Sequence, residues 1–339
     1  MLNKFTPKQT QCSPTTQSNL ASKFVKETLF NRQNGSIRML SSSKVVSQTS
    51  GSSATTTTTN PIHLPKFNNL LLTSPCEHVI SIELHKPQAK NAFCLNTAKE
   101  LIEALNSCDS NQQVRCVILS GSGSDFTSGV DLKSFMAVYA QLQDTEDVAK
   151  RAKLLRNVIE QFQAPFKRLD SFSKPVICLM HGLSIGLAME LAACSDIRYC
   201  TTNAKLAIRE VMIGIAADVG RLQLLPRLMS NQSLLNELIF TGRYLEPSEA
   251  LDLGFVSRIC DSKELAMNEA IETARNISQR SPVAVQGSKV NLRFSRNKSL
   301  ADGLDYNAVW NMAMMQGGDV VKAVAAIMSR DDDVRFDDF

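Results

Sequence analysis

From residue 66 onward the chain alternates between two hydrophobic rhythms. Short apolar runs predict strands, and apolar positions spaced by three and four predict the helices between them. His78–His85 is the first expected strand, and Asn96 is expected to cap a helix carrying Leu101, Ile102 and Leu105. Val114–Ser120 is an apolar run ending in Gly121-Ser122-Gly123-Ser124, which predicts a buried strand entering a glycine-rich turn. Helical spacing then extends over Thr145–Phe172 through Val148, Leu155, Val158, Ile159, Phe162 and Leu169. Pro175–Met180 reads as strand, Gly186–Cys194 as helix and Ile197–Thr201 as strand. Beyond residue 221 the pattern is helical apart from Phe255–Cys260, with helices expected over Asn231–Phe240, Lys263–Gln279, Pro282–Phe294 and Ser299–Met315. The expected fold class is therefore α/β, with a helical C-terminal part beginning near residue 263.

The first 60 residues follow neither rhythm. Residues 41–60 alone hold seven Ser and six Thr, too little apolar surface to offset the entropy of ordering them. Seven basic residues stand against the single acid Glu27, a net +6 that leaves −2 on the rest of the 339-residue chain and accounts for its overall +4. A basic, Ser-rich, nearly acid-free start reads as an organelle transit peptide, and Arg38-Met39-Leu40-Ser41 resembles a matrix-protease cleavage site. The expected address is the mitochondrial matrix. Asp337-Asp338-Phe339 is not a Ser-Lys-Leu type signal. The basic balance belongs to the leader, so no nucleic-acid partner is expected.

At 43% hydrophobic and 21% charged residues, the composition excludes a disordered protein, a collagen-like fibre and a small disulfide scaffold. No run is long enough for a membrane span. The nine cysteines show neither CxxC nor Cys/His metal spacing and several lie in apolar runs, so they read as reduced core thiols, with no metal expected.

Candidate chemistry gathers in three segments. In Gly121 through Leu132, a strand, glycines and a helix start would expose backbone N–H groups able to bind an anion or developing oxyanion. Without Gly-Lys-Ser/Thr the segment lacks the mark of a phosphate loop, and it is equally readable as a plain connection. His181 through Glu190 repeats the arrangement. Glu190, among Leu187, Met189, Leu191 and Ala192, is either a desolvated base or a solvent-side residue of an amphipathic helix. His181 reads as structural. In Ile208 through Gly220, Glu210 and Asp218 stand eight residues apart in a mostly apolar stretch. Two carboxylates so placed can move a proton between two carbons; the competing reading is ion pairing with Arg209 and Arg221.

Together these segments resemble the crotonase (enoyl-CoA hydratase/isomerase) superfamily, and within it the Δ3,5-Δ2,4-dienoyl-CoA isomerases. The likeness is carried by Phe126-Thr127-Ser128-Gly129-Val130-Asp131-Leu132, Ser195-Asp196-Ile197-Arg198-Tyr199-Cys200 and Glu210 with Ala216-Ala217-Asp218-Val219-Gly220. Ser281 through Gln286, Lys289 through Leu292, and Trp310-Asn311-Met312 add to it, so it spans about residues 66–330. The resemblance implies a crotonase (ClpP/crotonase-like) spiral of ββα units, one catalytic domain over 66–330, assembling as trimers that pair into hexamers. It implies an acyl-CoA substrate, with CoA part of that substrate and no separate cofactor. The backbone N–H groups of Val130 and Leu187 would form an oxyanion hole. Lys90-Asn91-Ala92 would lie near CoA, and Ser128, Gly129, Val130, Asp131, Leu132 and Gly186 would line the ligand. Glu210 and Asp218 match the two acid/base residues and Glu190 a third acid.

Two positions depart from the pattern. The family usually has three glycines where this chain has Gly186-Leu187-Ala188, and the isomerases have Asp where it has Glu190. A Glu190/Glu210 pair is also what hydratases use, which makes an enoyl-CoA hydratase or another CoA-ester isomerase the rival reading. Asp218 argues against it, since hydratases place Gly there. A crotonase-fold binding protein without turnover is a third reading, supported by Leu187 and opposed by the retained acids.

Overall fold

The computed structural model describes residues 62, 64–331 and 334–339; the leader expected over residues 1–60 lies outside them. Six strands form the main sheet: β1 (Leu70–Cys76), β2 (Val79–Leu84), β3 (Cys116–Gly121), β4 (Val176–Met180), β6 (Ile197–Thr201) and β9 (Arg258–Cys260), in that spatial order. β1 pairs antiparallel with β2 and every later neighbour is parallel. A second sheet joins β5 (Leu183–Ile185), β7 (Lys205–Ala207) and β8 (Tyr244–Leu245).

Parallel strands need covering on both faces, which is why their sequences are apolar runs rather than alternations. Val117 and Leu119 of β3 and Cys178 and Met180 of β4 face one hydrophobic cluster. That cluster includes Leu101, Ala104 and Leu105 of α1 (Leu95–Ser110) and Phe162, Phe166 and Leu169 of α3 (Val148–Ser171). Cys116, Ile118, Ile177 and Leu179 face the opposite cluster, with Ala266, Ala270 and Ala274 of α8 (Lys263–Ser278). Those alanines recur every four residues, so one smooth stripe of helix lies directly on the strands. The remaining C-terminal part is helical as expected: α9 (Pro282–Ser295), α10 (Leu300–Met314) and α11 (Gly318–Ser329). Trp310 of α10 stacks on Tyr306, which stacks on Phe294 of α9.

One expectation needs correcting. Asn96 does not cap α1; Cys94 occupies the N-cap position with extended backbone and no side-chain cap hydrogen bond. The reason is tertiary. Phe93 is pinned by hydrogen bonds to Gly129 O and from Asp131 N, so the chain must turn into the helix immediately afterward. All eight described cysteines are free, six of them buried, as the sequence predicts. Among the described residues no helix is long and apolar enough to cross a membrane.

Candidate active site

The site lies beyond the carboxyl ends of the parallel strands, where open α/β sheets offer a crevice. After β3 the chain runs alongside β5: Thr127 N donates to Leu183 O, and Ile185 N donates to Thr127 O. Ser128 N donates to Lys90 O and Phe93 N to Gly129 O, so the segment is held from both sides. Gly129, at φ +94°, and Gly186, at φ +58°, meet here: a Cβ on either would lie 3.9 Å from the other's Cα. This backbone contact brings the next two residues together, Val130 ahead of α2 (Leu132–Gln143) and Leu187 opening α4 (Leu187–Cys194). Among the described residues neither the Val130 nor the Leu187 N–H has a protein acceptor. Two adjacent, unused backbone donors are the requirement for holding a developing oxyanion.

Leu187 explains itself in this setting. It is the first residue of α4 with ordinary negative φ, and its side chain is buried in the main core cluster. The unusual backbone is confined to Gly186, at φ +58° and ψ −112°, a region open only to glycine. Only one of the family's three glycines is therefore required by this backbone.

Every residue of α4 is buried, so Glu190 is not a solvent-side residue. Arg221, the first residue of α5 (Arg221–Leu228), enters between the acids and is itself 1% exposed. Its Nη2 forms an ion pair with Glu210 Oε1 at 2.9 Å, while its Nε stands 3.7 Å from Glu190 Oε2. Burial pushes Glu190 up to about 7, against the opposing pull of the Arg221 charge. A carboxylic acid neutral in the fold but ionised when unfolded costs stability as pH rises between the two values. Folding stability is thus expected to fall from about pH 4.5 to pH 7 on this account, by about 3 kcal/mol at most. Thermal melts of Glu190→Gln should show the variant gaining on wild type across that window. A constant difference at all pH values would refute the assignment.

The acid-bearing segment divides. Glu210, at the start of a 3-10 turn over Glu210–Ile213, faces inward to Arg221 with its side chain 15% exposed. The ion-pair reading is thus met at Glu210, by Arg221 and not Arg209, which donates to the Tyr244 hydroxyl. Asp218 is different. Its carboxylate is exposed and has no side-chain partner among the described residues, and its main-chain carbonyl accepts from Gln163 of α3. The apolar environment expected around both acids does not hold at Asp218, which is exposed between buried Ala217 and Val219.

Of the expected ligand-lining residues, Asn91 is buried and has its amide committed within the protein. It accepts from Lys86 N and donates to the carbonyls of Ser122 and Asp125. Asn91 therefore clamps the loop, leaving exposed Lys90 and half-buried Ala92 at the surface. Asp131 caps α2 through Lys133 N and Ser134 N, and Leu132 is exposed. His181 is structural as expected, its ring nitrogens facing the carbonyls of Gly121 and Ser124. Arg221 is the residue that sequence reasoning placed only as an ion-pair partner.

Residues 76–328 match the family described as enoyl-CoA hydratase/isomerase. The chain belongs to the enoyl-CoA hydratase/isomerase family. It is 42% identical over 266 residues to the mitochondrial Δ3,5-Δ2,4-dienoyl-CoA isomerase of Rattus norvegicus, covering 78% of this chain and 81% of the relative. It is 38% identical to the peroxisomal Δ3,5-Δ2,4-dienoyl-CoA isomerase of Arabidopsis thaliana, covering 74% and 90%. Its fold is similar to that of an enoyl-CoA hydratase from Bacillus anthracis, with TM-score 0.69, 25% identity, and coverage of 78% of this chain and 97% of that one. The crotonase fold expected from the sequence is the fold observed.

Proposed function

We propose that the protein is a Δ3,5-Δ2,4-dienoyl-CoA isomerase acting in the β-oxidation of unsaturated fatty acids. The observation that carries this reading is 42% identity to isomerases of that name, combined with two unused backbone donors set beside half-buried Glu210. The thioester oxygen accepts from Val130 N–H and Leu187 N–H, which makes a dienolate accessible; one such donor is worth about 3–4 kcal/mol. Glu210 removes a proton from C2, and the electron pair delocalises through both double bonds. Asp218 supplies a proton to C6, giving the conjugated 2,4-dienoyl thioester with no net change in atoms or charge. Glu190 is the third acid of the pocket. CoA arrives with the substrate, along Lys90–Ala92 and Ser128–Leu132, with no separate cofactor.

Catalysis is assigned to one unit over residues 66–330, assembled as a homo-oligomer. Exposed Leu300, Leu304, Met312, Val321, Ile327 and Met328 on α10 and α11 give that assembly an apolar surface to cover. A mitochondrial matrix address rests on the leader's composition and on the naming of the rat relative. Residues 1–60 fused to a fluorescent reporter are expected in mitochondria, and a cytosolic distribution would remove the address.

The reaction itself is tested on 3,5-dienoyl-CoA by the ultraviolet rise of the conjugated product. Wild type is expected to give that rise, with Asp218→Asn slower by about 10²-fold or more. No rise alongside an active control sinks the isomerase. Rapid hydration of crotonyl-CoA, unaffected by Asp218→Asn, would instead select the hydratase reading, which the Glu190/Glu210 pairing favours.

A further inference from the structure

Glu190, Glu210 and Arg221 form a cluster with more charge than partners. One guanidinium serves two carboxyl groups, and it serves them unequally. The Glu210 contact, at 2.9 Å, is a close ion pair. The Glu190 contact, at 3.7 Å, is too long for a hydrogen bond. Glu190 Oε2, Glu210 Oε2, Arg221 Nε and Arg221 Nη1 are all buried without a hydrogen-bond partner. Nη1 lies toward the donor loop, 3.9 Å from where a Cβ on Gly186 would stand.

We propose that Arg221 is a positioning residue that sets the two acids in opposite states, holding Glu210 ionised as proton acceptor and leaving Glu190 protonated. The inference rests on the isomerase reading only for its kinetic test. Two carboxylates and one guanidinium carry a net negative charge, which a buried pocket that must stabilise a dienolate disfavours. One proton makes the cluster neutral. It belongs on Glu190, because Glu210 has the close ion pair with Arg221, whereas the side chain of Glu190 stands farther from that guanidinium and receives the weak thiol contact of Cys194, at 3.9 Å. The upward displacement of Glu190 by burial agrees with this placement.

Among the described residues no other charged side chain pairs with the cluster. Arg209 is turned to Tyr244. Asp218 is exposed on the connecting segment. Asp170 of α3 and Arg296, after α9, act at Cys194 with opposite sign. The gap at Gly220, where a Cβ would come 2.6 Å from Glu190 Oε1, leaves Glu190 room only against backbone.

The decisive measurement needs no turnover. Infrared titration of ligand-free protein carrying ¹³C-labelled glutamate is expected to show a buried protonated carboxyl that ionises near pH 7. That band should vanish in Glu190→Gln and persist in Glu210→Gln with its ionisation moved to lower pH; a band that persists unchanged in Glu190→Gln and vanishes in Glu210→Gln overturns the proposal. In the same infrared titration Arg221→Met should move the ionisation of Glu190 to higher pH, because the guanidinium charge opposes the effect of burial, and it should lower kcat for 3,5-dienoyl-CoA more than it changes KM. Arg221→Lys, which keeps the charge but not the planar fork, should restore part of that displacement. Should Arg221→Met fail to fold, Arg221→Lys carries the comparison alone, with a smaller displacement expected. A folded variant that is slower while Glu190 ionises at the wild-type pH shows a structural role only, and overturns the proposal. Absence of dienoyl isomerisation by wild type, with the infrared pattern intact, would refute the reaction and leave the protonation pattern standing.

Discussion

Glu210→Gln is expected to lower kcat for dienoyl isomerisation by about 10²- to 10⁴-fold, with a small change in KM. The amide has nearly the same shape, so the substrate pocket is kept. It cannot accept the C2 proton, and it offers Arg221 a neutral oxygen in place of the 2.9 Å carboxylate. The buried guanidinium would then draw on Glu190, 3.7 Å away, favouring the ionised form of the acid that is neutral in wild type. Turnover and the protonation of Glu190 should therefore change together. Stopped-flow absorbance at saturating substrate, beside a melting curve, separates loss of chemistry from loss of fold. A Glu210→Gln enzyme within tenfold of wild type would exclude Glu210 as the C2 base.

Gly186→Ala is expected to be as damaging by another route. A Cβ at residue 186 would stand 3.0 Å from Glu210 Oε1, in a backbone conformation that side chains rarely adopt. The strain costs of the order of 1–3 kcal/mol, and its relief must shift either the base or the start of α4. Shifting α4 moves the Leu187 N–H off the thioester oxygen, and loss of one such donor lowers kcat by about 10²- to 10³-fold. Rate and melting temperature should both fall. A fully active Gly186→Ala protein would show that the donor is not at Leu187.

How much of this was legible in the sequence depends on where each residue's environment comes from. β3, β4 and β6 were readable because strands buried on both faces are apolar throughout. β1 was not, because Leu70–Cys76 is an edge strand with most positions at least partly exposed and a Ser-Pro pair near its end. β5, β7 and β8, two or three residues each, exist through their mutual pairing and the Thr127–Ser184 bridge, which no local pattern records. At the site, the burial of Glu190 followed from uniformly apolar neighbours. Asp218 misled because its flanking Ala217 and Val219 are buried while Asp218 itself is exposed. Arg221 lies 31 positions after Glu190, and only the fold sets them face to face.

The parallel sheet also has a kinetic consequence. Val79 pairs with Cys116, Val117 with Val176, and Tyr199 with Arg258, so each parallel neighbour is reached only after a long excursion of chain. Loop-closure entropy must be met before these contacts repay it, which makes such a sheet slow to assemble. Until α8 lays Ala266, Ala270 and Ala274 across the strands, Ile118, Ile177 and Leu179 remain uncovered. The nascent chain thus carries this apolar face uncovered until late, and its yield depends on what shields that face before residue 274 has been made and docked.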